Sequence, residues 1–155
     1  MPALPGGRPR HSIPDERVWV DARPGGRRDA SLHGRYGAGV RFTVTEADIA
    51  TTLGTGDVPV LATSRLVTWM EATTVEAAGA LLSAGQTSVG IAVRITHRRP
   101  TPLGRSVDIT ADPAPPAEGR VTFRVQAVDA SGELVGVGEI DRAIVDRERF
   151  LARTN

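Results

Sequence analysis

Three side chains of this 155-residue chain stand where structure and chemistry compete for the same residue: Thr63, Glu71 and His97. Glu71 follows Met70 on the apolar side of a predicted helix, so its carboxylate is expected to face a packed sheet or a subunit interface. A carboxylate short of water can act as a general base or attack a carbonyl carbon. The competing reading is an exposed helix residue with no task. His97 ends the alternating row Ile91, Val93, Ile95, which puts an imidazole on an otherwise apolar strand face. A ring that titrates near neutral pH suits proton transfer there, although a lone buried histidine also serves as a satisfied core residue. Thr63 brings a hydroxyl to the helix start, where it either orients a reacting group or caps the helix, worth ~1 kcal/mol. On one regular helix Thr63 and Glu71 are separated by roughly 12 Å. They can share a site only through the loop before the helix or across a subunit interface.

Two further residues offer groups that bind rather than react. Gly90 has no Cβ, so its backbone N–H can approach a developing oxyanion, or it can simply be a turn glycine. Arg142 shares strand parity with Ile140 and Ile144. Its fork of donors suits a phosphate or a carboxylate, and equally a structural ion pair. Arg94, Arg98 and Arg99 read as solvated strand-edge residues. With no cysteine in the chain, thiolate nucleophiles, disulfides and cysteine-bound zinc or iron–sulfur sites are excluded. His11, His33 and His97 lie far apart without metal-ligand spacing, so no protein-built metal site is expected.

The elements that must position these residues follow from periodicity. Arg41–Thr45 reads as a strand, and Glu46–Pro59, with Gly54, Gly56 and Pro59, as a loop. From Ser64 to Leu82 apolar residues recur at steps of three and four (Leu66, Val67, Met70, Thr74, Ala77, Ala78, Leu81, Leu82). That predicts a helix capped by Thr63 or Ser64 and stopped at Ser83-Ala84-Gly85. The period then changes to two. Strands are predicted through Ile91–His97, Val107–Ala111, Val121–Ala127 and Leu134–Val145, with a bulge in the last where Gly136 and Gly138 accompany a slip of apolar parity. One strand, one long helix and four strands joined by short turns make an α+β antiparallel sheet with the helix on one face.

Residues 1 to 37 are rich in Pro, Gly and Arg and are expected to form a flexible arm, with Arg17–Asp21 as a possible docked strand. The arm holds seven Arg against four acids and the remainder twelve against fourteen, so the formal charge of +1 conceals a slightly acidic body. With that body and only six aromatic residues, a nucleic-acid partner is not expected. No apolar run approaches the ~20 residues that span a bilayer. A cytoplasmic protein without membrane attachment is the expectation.

The run Ala62-Thr63-Ser64-Arg65-Leu66-Val67-Thr68-Trp69-Met70-Glu71, followed by Ile95-Thr96-His97, resembles the fluoroacetyl-CoA thioesterase-like family of hot-dog thioesterases. In that family a Thr just before the central helix, a Glu inside it and a His at the end of the next strand form the reactive set. The intervals here are eight and twenty-six residues. The likeness continues through Gly90, Thr101-Pro102-Leu103-Gly104 and Gly138–Val145. It implies a hot-dog fold over residues 38–155, an antiparallel sheet wrapped around one long central helix, and a homodimer with shared active sites. It further implies hydrolysis of a small acyl-CoA or acyl-carrier-protein thioester without metal or redox cofactor, CoA entering only as part of the substrate. Thr63, Glu71 and His97 would be catalytic, and Gly90 and Arg142 would bind substrate. The alternative is a non-catalytic hot-dog module that holds acyl thioesters or another small ligand. Gly54–Leu61 contains no aromatic residue where the family has a Phe-rich gate, so an acyl group other than fluoroacetyl is expected.

Overall fold

The computed structural model describes residues 37–154. The arm residues 1–36, with His11, His33 and the expected strand Arg17–Asp21, lie outside the described residues. Five strands form one antiparallel sheet: β1 (Ala38–Thr43), β2 (Gln86–His97), β3 (Ser106–Pro113), β4 (Arg120–Asp129) and β5 (Leu134–Asp146). Their spatial order is β1-β3-β4-β5-β2. Consecutive strands β3, β4 and β5 pair as a meander, and β2 returns to the outer side of β5, so β1 and β2 are the two edges.

A short helix, α1 (Ala50–Leu53), and a 3₁₀ turn at Glu46–Asp48 precede the long helix α2 (Thr63–Gly79), and α3 (Arg147–Leu151) follows β5. The stretch expected to be a plain loop therefore carries two short helical turns. The Thr45 backbone N–H donates to Asp48 Oδ2 at 2.8 Å and its carbonyl accepts from Asp48 N–H at 3.0 Å, which closes the first of them. Helix α2 matches the three-and-four spacing but ends at Gly79, short of Leu82. Its N-cap is Ala62, with no side-chain cap bond, so neither Thr63 nor Ser64 caps it. Thr63 is the first helical residue, and its hydroxyl is free for another partner.

The core lies between α2 and the sheet. Leu66, Met70, Ala77 and Ala78 of the helix meet Val107, Ile109 and Ala111 of β3, Val121, Phe123, Val125 and Ala127 of β4, and Ile140 of β5, all 2% exposed or less. Trp69 stacks on Phe42 of β1, ring centroids 4.8 Å apart, which pins the helix to that edge. Near β5 the helix can sit close because Gly136 has no side chain. A Cβ there would come to 2.8 Å from Leu66 Cδ2 and 3.3 Å from Met70 Cε.

Two bulges interrupt the ladders. In β2, Gly90 pairs with Arg142 and Ala92 with Asp141, so Ile91 is an extra residue. In β5, Ala127 pairs with Gly136 and Val128 with Leu134, so Val135 is the extra residue. The second lies in the last strand, where a bulge is expected, but at Val135, just before Gly136 rather than between Gly136 and Gly138. The first is unexpected, and it corrects the apolar row proposed for β2: Ile91 is 45% and Val93 42% exposed. Ile91 is displaced by the bulge, while Val93, opposite Ile140, overhangs at an edge the helix does not cover.

Phe123 is fully buried at the centre of this layer. Its replacement by Ala is expected to cost about 3–5 kcal/mol in urea unfolding, with unchanged m-value. A loss below about 1 kcal/mol would show that the helix and sheet do not pack here as described.

Candidate active site

The loop before α2 is stitched to the chain that follows β2. Leu61 N–H donates to Thr101 O at 2.8 Å, Ala62 N–H to Asp48 O at 2.9 Å, and Val60 bridges Pro102. At the other side, the carbonyl of the bulge residue Val135 accepts from Arg98 N–H at 2.7 Å and Arg99 N–H at 3.2 Å, which turns the chain immediately after His97. These ties bring the first residue of the helix to the last residue of the strand. Thr63 Oγ1 lies 2.9 Å from His97 Nδ1. Both line a cleft of about 340 Å³ whose walls include Ala50, Thr55, Val60, Leu61, Arg98, Arg99 and Pro100.

His97 Nε2 is buried without a hydrogen-bond partner among the described residues. A neutral imidazole has one N–H. If Thr63 donates to Nδ1, the proton sits on Nε2; if Nδ1–H donates to Thr63, Nε2 keeps a free lone pair. Both forms leave one ring nitrogen ready to exchange a proton. Burial pushes the imidazole below its ordinary value of 6.5, opposed in part by the backbone of Arg99. The ring is therefore held neutral at physiological pH.

Glu71 is elsewhere on the helix. Its Oε1 lies 3.7 Å from Arg142 Nη1, and its side chain is 42% exposed. Gly90 borders it so closely that a Cβ at position 90 would fall on the Glu71 carboxylate. The structure thus brings Glu71, Gly90 and Arg142 together as one group and Thr63 with His97 as another, and it does not join the two within one chain. Arg142 is 5% exposed. Its guanidinium donates to Ser88 Oγ at 2.9 Å, Ser88 O at 3.1 Å and Thr74 Oγ1 at 3.3 Å. With those donors engaged, the Glu71 carboxylate is the anion its remaining Nη1 edge faces. Burial lowers its pKa and the Glu71 charge opposes this, while a guanidinium stays protonated throughout.

Arg94 donates to Asp141 Oδ2 at 2.9 Å, and Arg99 lies 3.3 Å from Glu133 Oε2, the surface pairs expected of strand edges. Ser88 is not singled out in the sequence, and Thr74 only as a member of the inward face of the helix. Ser88 lies two residues before Gly90, a period-two relation on the same face, but nothing in the sequence distinguishes it from an ordinary strand serine. Among the described residues no group of three His, Cys, Asp or Glu is placed to hold a metal. No helix among them is long and apolar enough to cross a membrane.

Comparison with known proteins adds a second kind of observation. A family model described as fluoroacetyl-CoA-specific thioesterase matches residues 44–148. A fluoroacetyl-CoA thioesterase from Streptantibioticus cattleyicolor is 36% identical over 94 residues, which is 61% of this chain and 67% of that protein. A fluoroacetyl-CoA thioesterase variant solved with acetyl-CoA aligns with TM-score 0.69 at 28% identity, over 76% of this chain and 92% of that one. A thioesterase superfamily member from Thermus thermophilus aligns with TM-score 0.72 at 28% identity, over 77% and 88% of the two chains.

The lowered His97 value carries a sign. A histidine held neutral in the fold binds fewer protons there than in the unfolded chain, so acidification from pH 6.5 toward its folded pKa removes stability. The thermal midpoint is expected to fall more over this window in the wild type than in His97→Asn. The ring titration followed by NMR should have its midpoint below 6.5. A midpoint at or above that value would contradict the burial described.

Proposed function

The chain belongs to the fluoroacetyl-CoA-specific thioesterase family, and we propose that Thr63, Glu71 and His97 are the reactive set of its acyl-CoA thioesterase activity. The carrying observation is the Thr63–His97 contact at 2.9 Å, on a cleft large enough for a small acyl group. Neutral His97 carries a proton from water to the CoA sulfur. Thr63 orients the ring or the water. In one route Glu71 attacks the carbonyl carbon, CoA leaves as the thiolate, and the water that then opens the anhydride gives its proton to His97, which passes it to the sulfur. In the other Glu71 takes the proton of a water that attacks directly, and His97 relays it to the departing thiolate. The amide of Gly90 is assigned to the oxyanion, and its missing Cβ makes room for Glu71. Arg142 braces the Glu71 carboxylate.

No metal or redox cofactor enters this scheme, and CoA arrives as part of the substrate. A carrier-protein phosphopantetheine arm presents the same thioester and is the second donor we propose to test. Acyl-CoA pools place the action in the cytoplasm. The segment Gly54–Leu61, which walls the cleft with Thr55, Val60 and Leu61, has no aromatic ring. That supports an acyl group other than fluoroacetyl. Residues 1–37 are proposed as an arm outside the hot-dog domain.

A homodimer in which each site takes Thr63 and His97 from one chain and Glu71 from its partner reconciles the two groups. The edge strand β2, with Ile91 and Val93 exposed, supports an interface there. In a closed two-fold dimer the contacts are reciprocal, so both sites form alike.

Thiol release from a panel of short, branched and aromatic acyl-CoAs is expected to identify a substrate. Glu71→Gln and His97→Ala should then each lose about 10²–10⁴-fold in kcat. Full activity in both variants would defeat the residue assignment, and acyl-CoA binding without thiol release would make the chain a non-catalytic module. Mixing the two inactive variants under exchange should restore about a quarter of wild-type activity, because half the dimers then hold one intact shared site. No recovery, or a strictly monomeric active protein by light scattering, would overturn the shared site.

A further inference from the structure

We infer that Ser88 and Thr74 are positioning residues for Glu71, acting through Arg142; the inference rests on the role of Glu71 proposed above. The Nε–H and the neighbouring Nη2–H of Arg142 form one edge of its planar fork. They donate to Ser88 Oγ at 2.9 Å and Ser88 O at 3.1 Å, so a single residue fixes the plane of the group. Nη1 is then directed toward α2, where it donates to Thr74 Oγ1 at 3.3 Å. The Thr74 hydroxyl has already given its proton to the carbonyl of Glu71 at 2.6 Å, which leaves its lone pairs for Arg142. One hydroxyl therefore touches both the backbone of Glu71 and the cation that faces its carboxylate.

The separation this produces is the point. A charge-assisted N–H···O bond settles at about 2.7–2.9 Å when nothing restrains it, whereas Arg142 Nη1 stands 3.7 Å from Glu71 Oε1. Ser88 and Thr74 hold the guanidinium back, so the carboxylate feels its charge without being tied into a direct pair. A carboxylate bound bidentately to arginine has its lone pairs occupied and is a poorer base and nucleophile. Neither hydroxyl is placed to react itself. Thr74 is fully buried, and Ser88 Oγ is engaged as the acceptor of Arg142 Nε–H.

The test measures kcat and KM on the best acyl-CoA substrate of the full chain. Ser88→Ala and Thr74→Val are expected to lower kcat about 5- to 20-fold with KM changed less than about twofold. Ser88→Thr and Thr74→Ser, which keep a hydroxyl, should recover most of that loss. In an Arg142→Met background Ser88→Ala should cost less than about twofold further, since its effect passes through the arginine. The Arg142 Nε–H resonance, assigned by its disappearance in Arg142→Met, should shift or exchange faster in Ser88→Ala. An unchanged kcat in Ser88→Ala, an equal loss with and without Arg142, or an indifferent Nε–H signal would each overturn the positioning role while leaving Glu71 in place. A fully active Glu71→Gln would remove the reading beneath it instead, so the two failures are distinguishable.

Discussion

One extra residue in one strand decides what this fold can present to a substrate. Side chains of a strand alternate between its two faces, and a regular β2 would send Ser88 and Gly90 to one face and Val93, Ile95 and His97 to the other. The bulge at Ile91 cancels that alternation. Before it, even-numbered residues face the helix, so Ser88 reaches Arg142 and Gly90 borders Glu71. After it, odd-numbered residues do, so Ile95 joins the core and His97 meets Thr63. Both groups of candidate side chains lie against α2 only because the ladder slips once between them. The displaced residue is left exposed at the edge, an apolar side chain with no helix above it.

The bulge at Val135 does complementary work at the other end of the same pair of strands. Its carbonyl gathers the two amides after His97 and stops β2 at the imidazole. Gly136, paired opposite His97, removes the side chain that would hold Leu66 and Met70 away, so the first turn of α2 settles near the ring. The helix then acts as a ruler. Thr63 begins it and Glu71 comes two turns on, roughly 12 Å along its axis, which is too far for one small carbonyl group to touch both within a single chain. Separation within the chain and an edge strand beside Glu71 are two aspects of the same geometry.

Much of this was legible in the sequence because it depends on periodicity. The change from steps of three and four to steps of two marks the helix and four strands, and Phe123, Val125 and Ala127 alternate inward as their spacing demands. The interval from Thr63 to Glu71 to His97 carried the family resemblance. What periodicity cannot show is a change of its own phase. Ile91, Val93, Ile95 and His97 look like one row, and Gly90, read as lying before the strand, is in fact inside it at the bulge. Thr63 looked like a cap because threonine commonly caps. The loop before it is instead fixed by backbone bonds to Asp48 and Thr101, which leave Ala62 at the cap position and the threonine hydroxyl to His97. Bonds between residues far apart in sequence, such as Arg142 with Ser88 and Thr74, leave no local trace.

The electrostatics of the two groups differ in a way that fits their separation. His97 is kept neutral by burial, with one nitrogen on a hydroxyl and the other without a partner among the described residues. A neutral ring can accept a proton and give it back without a permanent charge beside it. Glu71 is half exposed and faces a buried, permanently charged arginine across a gap too long for a good hydrogen bond. Removing water from both at once, as closure over an acyl thioester would, strengthens the field of Arg142 on the carboxylate and leaves the imidazole uncharged. In the reaction proposed above the carboxylate supplies or generates the nucleophile and the neutral ring carries the proton to sulfur, two tasks that suit two differently solvated groups.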